Sequence, residues 1–365
     1  MSMTAPATVR VQQAPITVHQ DADPSRWNAY VGRTRHASAY HLYEWRGIIE
    51  RAFRHETRYL TAESDRGVTG ILPLVLFRSR LFGRFAVSMP FANYGGVLAD
   101  SERSAGALFD AAVVEARKAG ATYLELRHTT QMFPRLQAKR HKVGMTLDLR
   151  PSVDDQWLAL DRKLRNQVRK AEKSGLTVVH GGAELLDRFY SVFARNMRDL
   201  GTPVYSIRWF REILQAFPES SRIFAVCLGD RTVAASFVLW TPGAAQRAPS
   251  HRSTIEVPWA SALREFNPLC ANVFLYWHMV RFAIESGFQR FDLGRSTPDE
   301  GTFHFKKQWG AEAQPLVWEY WTADGERLPD LSPKNPKFAR AIALWQRLPV
   351  GVTKVLGPPI VRHIA

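Results

Sequence analysis

Between Phe288 and Gly310 the chain reads FQRFDLGRSTPDEGTFHFKKQWG, which sets a carboxylate (Asp292), a guanidinium (Arg295) and an ammonium (Lys306) beside a strand-like run of Phe and Leu. A core strand has no use for three charges. Such a set suits transfer of an acyl group to an amine without a covalent enzyme intermediate. A proton must leave the attacking amine, and the developing oxyanion needs fixed positive charge or N–H donors. Lys306 is the candidate for that charge, Asp292 for orienting or deprotonating the amine, and Arg295 for holding a phosphate or carboxylate. The competing structural reading makes Asp292 and Arg295 an ion pair, and Lys306 with Lys307 an exposed strand end. Other common engines are excluded at motif level: the chain has no G-x-x-x-x-G-K-[ST], no G-x-G-x-x-G after a strand, no G-x-S-x-G and no His/Cys cluster at metal-ligand spacing. His278 and His304 are assigned no role.

The elements around these residues follow from periodicity. Residues 272–286 (NVFLYWHMVRFAIES) are apolar on nearly every side, which predicts a helix covered by protein, and Gly287 stops it. A strand FQRFDL follows, then a ligand loop with Gly294, Pro298 and Gly301, then a second strand from the alternation at Phe303 to Lys307. Upstream, two helical segments (SRWNAYVGR and YHLYEWRGIIERAF) precede a meander of TRYLTAES, VTGILPLVLFRSR and RFAVSMPF. Asn93-Tyr94-Gly95-Gly96 breaks the meander, a helix spans 103–119, and ATYLELRH is a further strand. VRVQQAPITVH is expected to form an earlier first strand. The second half repeats the order: helices over 184–200 and 206–217, strands RIFAVCLG, RTVAASFVLW and TIEVPWASA, the covered helix, then FQRFDLG. ATYLELRH and FQRFDLGR thus occupy equivalent places, and the fold class expected is α/β (α+β), one unit duplicated, with helices on the faces of mixed sheets. Asn93 and Tyr94 either line the cleft or form an ordinary turn.

Between the halves, DDQWLALDRKLRNQVRKAEKSGL placed on one helix puts Trp157, Leu160, Leu164, Val168 and Ala171 on one face and Arg162, Arg165, Arg169 and Lys173 on the other. The stripe is either a solvated face or a set of phosphate contacts. The net charge of +15 and pI near 10.1 point the same way, to an anionic partner such as RNA, a phosphorylated substrate or acidic lipid. Cys227 and Cys270 read as small core residues, so no disulfide framework is expected. No segment reads as a signal peptide or membrane span, and a cytoplasmic location is expected. Residues 241–253 read as a mobile hairpin tip. The closing segment, with Phe338, Ile342, Trp345 and Leu348 near one face among Arg and Lys, either packs on its own domain or lies peripherally on an anionic inner-membrane surface.

With these residues in view, a family resemblance emerges. LRNQVRKAEKSGLTV resembles the N-I-R-K-A-E-K-x-G-V signature of Fem-type (FemAB) aminoacyl transferases, and GTFHFKKQWGA resembles their G-x-x-x-F-K-x-x-F-G signature. YHLYEWR, PFANYGGVLAD, ARNMRDLGTPVY, VPWASALREFN, FDLGRSTPDEGT and FKKQWGAE are similar to the FemAB-like subgroup associated with exosortase/PEP-CTERM systems and exopolysaccharide clusters. The resemblance implies two tandem N-acetyltransferase-like (GNAT) domains, at 1–150 and 151–325, with a helical tail over 326–365. It implies transfer of an acyl or aminoacyl group to an amine of a peptidoglycan- or exopolysaccharide-type envelope precursor by a monomer with no tightly bound cofactor. Lys306 falls at the signature lysine near the reacting carbonyl, and Arg165, Arg169 and Lys170 match the basic helix. Tyr205, Trp259, Asn272, Ser296 and Lys307 are expected to line substrate, with Asn93 and Tyr94. Gln308-Trp309 stands where the family has Gly-Phe, and no long helical hairpin is inserted, which leaves the donor open between aminoacyl-tRNA and acyl-CoA. Absence of an R/Q-x-x-G-x-G/A loop weighs against a plain acetyl-CoA enzyme. A non-catalytic RNA- or membrane-binding module is the reading from another class.

Overall fold

The structure, a computed structural model, describes residues 15–20, 22–79, 82–243, 253–324, 326, 328 and 336–364. The expected strand at VRVQQAPITVH is described only from residue 15. Most of the expected hairpin tip at 241–253 also lies outside the described residues.

The first half runs β1 (Thr17–His19), α1 (Pro24–Arg33), α2 (Trp45–Phe53), β2 (Glu56–Ser64), β3 (Gly67–Ser79), β4 (Gly83–Val87), β5 (Leu98–Ala99), α3 (Glu102–Lys118), β6 (Tyr123–His128) and β7 (Gln137–Lys139). The linking region holds β8 (Val143–Asp148), α4 (Val153–Ala159) and α5 (Arg162–Lys173). The second half runs β9 (Leu176–Gly181), α6 (Leu186–Leu200), α7 (Ile207–Ala216), β10 (Ser221–Leu228), β11 (Arg231–Trp240), β12 (Thr254–Ala262), α8 (Ala271–Glu285), β13 (Arg290–Ser296), α9 (Gly301–Lys307), β14 (Glu312–Pro315) and β15 (Val317–Thr322). The tail forms α10 (Pro336–Trp345) and α11 (Val350–Val361).

Two mixed sheets result. The first has the order β1-β2-β3-β4-β6-β15-β7, with β5 on β3; the second has the order β14-β8-β13-β12-β11-β10-β9. The duplication expected from the sequence is present as topology. In each half an antiparallel trio is followed by a helix and a strand parallel to the third member, β6 against β4 and β13 against β12. Sheet membership crosses the sequence halves at two strands: β8 joins the second sheet and β15 joins the first.

The core is layered. Helix α3 covers the outer face of the first sheet, and α5 with α8 covers the outer face of the second. Between the sheets lie α1, α2, α6 and α7 with an aromatic cluster that includes Trp27, Trp45, Trp209 and Phe210, all fully buried. Replacing any of these by Ala should cost about 3–5 kcal/mol.

Two expectations are corrected. The basic segment is not one helix: it breaks after Leu160, and the Asp161 side chain caps α5 by accepting from Leu164 N–H at 2.7 Å. Residues 303–307 form the helix α9, not a strand. A two-residue alternation this short also fits a helix, and here Phe305 and Trp309, four residues apart, pack together on Tyr276 of α8.

Candidate acyl-transfer site

Asp292 lies on β13, where Phe291 and Leu293 point into the core beneath α8 and Asp292 points the opposite way, toward the first sheet. Its carboxylate accepts from the Tyr94 hydroxyl at 2.7 Å (Oδ2) and from Gly294 N–H at 2.7 Å (Oδ1). Gly294 has φ +77°, and a Cβ there would meet the Val257 carbonyl at 3.1 Å, so the bend is one that glycine alone makes without strain. The bend is a bulge: the β13–β8 register shifts between Asp292 and Arg295. At the same place β13 parts from β12, since their parallel pairing covers only Thr254–Glu256 against Arg290–Asp292.

Helix α9 lays Lys306 across this bulge. Only 7% exposed, its ammonium donates to the carbonyls of Gly294 (3.1 Å) and Arg295 (2.8 Å). Two of three N–H groups are thereby used, and one remains. Burial, with a smaller contribution from Arg295, lowers the Lys306 pKa to about 8, while Asp292 opposes the shift. Burial also raises Asp292, against the pull of Tyr94, Gly294 N–H and Lys306. The exposed strand-end reading of Lys306 therefore fails; of Lys307 only the exposure holds, since it ends helix α9 and lies over the Phe303 ring. Asp292 and Arg295 do not form the ion pair considered above: the Asp292 partners are Tyr94 and Gly294, and the Arg295 guanidinium sits 5.6 Å from the Trp318 ring.

Sequence reasoning missed two members of the site. Glu256 of β12 stands beside Asp292 in register and is buried; burial, then the Asp292 charge, raise its pKa well above the usual carboxylate range. Tyr40 is buried opposite, and its hydroxyl is raised by burial and then by Glu256 and Asp292. Tyr40 OH, Glu256 Oε2 and Ser296 Oγ are buried with no hydrogen-bond partner among the described residues. Tyr40 and Glu256 lie close enough for each to shift the titration of the other, and a ligand entering beside them would satisfy both. The signal for Glu256 was available: a lone carboxylate inside TIEVPWASA repeats the oddity of Asp292 in FQRFDLG.

The other expected residues divide. Asn93 is beside Gly294, with its Nδ2 3.6 Å from where a Cβ would sit, so the Asn93-Tyr94 turn belongs to the site. Arg295 is solvent-exposed by surface area but ringed by protein; desolvation and then the neighbouring Arg127 lower its pKa. Tyr205 is near enough to Arg295 and Arg127 to feel both charges, and it joins Trp259 (6.5 Å between centroids) in the aromatic wall between the sheets. Asn272 is half-buried in the first turn of α8. Arg165 and Arg169 are on α5, across the second sheet from Asp292, where Arg169 lies 5.4 Å from the Trp157 ring centre. A surface hollow of about 480 Å³ lined by Arg162, Lys163, Asn166, Gln167 and Lys170 lies on the same far side. Among the described residues no His/Cys/Asp/Glu group is arranged to hold a metal.

Residues 160–307, which contain β12, α8, β13 and Lys306, match the family model described as acetyltransferase (GNAT) domain. Three solved structures share the fold. FemX is 15% identical with a TM-score of 0.65, over 83% of this chain and 96% of that one. The C-terminal domain of a putative lysylphosphatidylglycerol synthetase from Agrobacterium fabrum is 13% identical with a TM-score of 0.54, over 81% and 90%. A tandem GNAT protein from the clavulanic acid biosynthesis pathway is 13% identical with a TM-score of 0.52, over 86% and 100%. No curated protein matches. The chain therefore has a GNAT-like fold with two mixed sheets, and its second half carries a GNAT-type domain.

Proposed function

We propose that the protein is an acyltransferase that moves an aminoacyl or acyl group onto an amine of a cell-envelope precursor, at the bulge formed by Asp292, Gly294 and Arg295. The observation that carries this reading is Lys306: a buried ammonium whose two hydrogen bonds among the described residues leave one N–H to give, beside the buried carboxylate of Asp292. The donor carbonyl takes the place next to Lys306, whose remaining N–H meets the oxyanion as the amine nitrogen bonds to carbon. The amine proton passes to the Asp292/Glu256 pair, two adjacent buried carboxyls that burial raises above the usual carboxylate range, so that the pair takes up a proton more readily than free carboxylates do. The donor's leaving oxygen or sulfur then departs. Arg295 holds an anionic group of donor or acceptor.

The GNAT domain match and the FemX and lysylphosphatidylglycerol synthetase likenesses favour acyl or aminoacyl transfer. The resemblance of LRNQVRKAEKSGLTV and GTFHFKKQWGA to Fem-type signatures favours an envelope precursor as acceptor. An acyl-CoA donor is the second reading, favoured by the N-terminus of α8, which follows β12 through a 3-10 turn over 264–269 and whose N-cap residue Cys270 makes no side-chain cap bond. A thermal-shift screen of acetyl-CoA, longer acyl-CoAs, charged tRNA and uncharged tRNA at two salt concentrations tests both, because a ligand of the folded state raises the midpoint with dose. A salt-resistant shift with an acyl-CoA selects the CoA donor. A shift larger for charged than uncharged tRNA selects the aminoacyl donor. Equal, salt-sensitive shifts with both RNAs and none with acyl-CoA contradict the enzyme reading.

A further inference from the structure

Helix α11 is apolar on all sides, a pattern that in a globular protein calls for cover all round. Only one side is covered. Thr353, Gly357 and Val361 face α6, and Gly357 lies so close to Val204 that a Cβ would come within 2.8 Å of its backbone. The helix is held in that orientation. His55 Nε2 bonds the Arg362 carbonyl at 2.6 Å, Lys354 sits over the Tyr190 ring, and Arg198 donates to the Leu348 carbonyl at 2.9 Å. The outward side therefore stays on display: Val352 is 40% exposed, Val355 71%, Leu356 47% and Ile360 36%, spaced three and four residues apart with Pro359 among them. On the preceding helix, Leu344 is also turned outward, 65% exposed. Charge completes the picture. From Pro336 to Ala365 the sequence contains Lys337, Arg340, Arg347, Lys354 and Arg362 and no Asp or Glu.

We propose that this face is a docking surface for an anionic lipid bilayer, with α11 lying in the plane of the headgroups and its apolar row entering the acyl boundary. A bilayer of that kind takes apolar side chains and basic flanks together. A second copy of the chain would set one acid-free basic segment against another. At 12 residues α11 rises about 18 Å, too short to cross, and no described helix is long and apolar enough to do so. The inference is independent of the acyl-transfer reading, because its readout is lipid binding.

The test is flotation of the full chain with vesicles of phosphatidylcholine, alone or mixed with phosphatidylglycerol, alongside sedimentation velocity without lipid. The wild type should float with the anionic vesicles and bind neutral ones at least about tenfold more weakly. Val355→Asp with Leu356→Asp should lose flotation at an unchanged melting midpoint, since both side chains are exposed. Arg347→Glu, which leaves the apolar row intact, should weaken binding several-fold, as should added salt. Flotation equal on neutral and anionic lipid, absence of flotation, or an Asp variant that floats like wild type would each overturn the proposal. A dimer dissociated by the Asp pair, with no lipid binding, would assign the face to a second copy instead.

Discussion

The two halves share a topology and differ in what they do with the same wedge. In each, the third strand and the strand after the helix run parallel for two or three residue pairs and then part. In the first half the wedge is stitched shut. Ser88 N–H bonds the Glu125 carbonyl, Arg127 N–H bonds Ser88 Oγ, and the buried Arg127 side chain binds Glu125 Oε1 (2.7 Å) and the Met89 and Ala92 carbonyls. In the second half β12 continues as a strand and β13 bulges at Gly294 instead of staying paired with it, with Asp292 and Arg295 where β6 has Glu125 and Arg127. The chain that closes the first wedge runs on to Tyr94 and lends that hydroxyl to Asp292. The two arginines meet over Trp318 of β15, 4.3 Å (Arg127) and 5.6 Å (Arg295) from its ring. The first wedge is thus a closed scaffold and the second holds the proposed site, the two coupled through one turn and one strand.

The sharpest way to break this contrast is at its two arginines. Arg127→Met leaves the buried Glu125 carboxyl without its guanidinium partner and should cost about 3–5 kcal/mol in urea denaturation. Arg295→Met, at the equivalent but exposed position, should cost less than about 1 kcal/mol. Equal losses would make the second wedge as closed as the first. Tyr94→Phe removes the bridging hydroxyl and should cost about 1–3 kcal/mol, while raising the Asp292 pKa further in a pH titration. Glu256→Gln bears on pH. The folded pKa of Glu256 is raised above its unfolded value, so above about pH 4.3 the unfolded chain binds fewer protons than the folded one and stability falls as pH rises. The Gln variant should lose that part of the slope, gaining in melting midpoint over wild type at pH 8 relative to pH 4. An identical slope in the two proteins would remove Glu256 as a titrating member of the pair. The smallest effect belongs to Lys307→Ala, which should shift stability by no more than about 0.5 kcal/mol because the side chain is exposed.

Much of this was legible in the sequence because it rests on periodicity and on charges out of place. The duplicated strand order and the covered helix α8 needed no coordinates, and Asp292, Arg295 and Lys306 stood out as charges in an apolar frame. The α9 helix was not legible, since five residues of aromatic-basic alternation satisfy strand and helix alike until Tyr276 supplies a surface for Phe305 and Trp309. Nor was the choice between turn and cleft for Asn93-Tyr94. That is decided by partners far along the chain: His128, locked to Glu319 at 2.7 Å, accepts from Val97 N–H at 2.9 Å and fills the space any side chain on Gly96 would need. The basic stripe of α5 was visible, but its distance from Asp292 was not, because which face of a sheet a helix covers depends on the crossover connections.

The most direct test of the central claim, that the second wedge performs the transfer through Lys306, is a single-turnover rate for Lys306→Met. The donor is the one selected by the thermal-shift screen, with lysine and glucosamine as amine probes. Loss of two donor contacts to carbonyls should leave the fold intact at a cost of no more than about 2 kcal/mol. The account expects at least a hundredfold or so slower transfer in a protein with a wild-type near-UV circular dichroism spectrum. Transfer within about twofold of wild type would mean that Lys306 serves only to hold the bulge, and that the chemistry lies elsewhere.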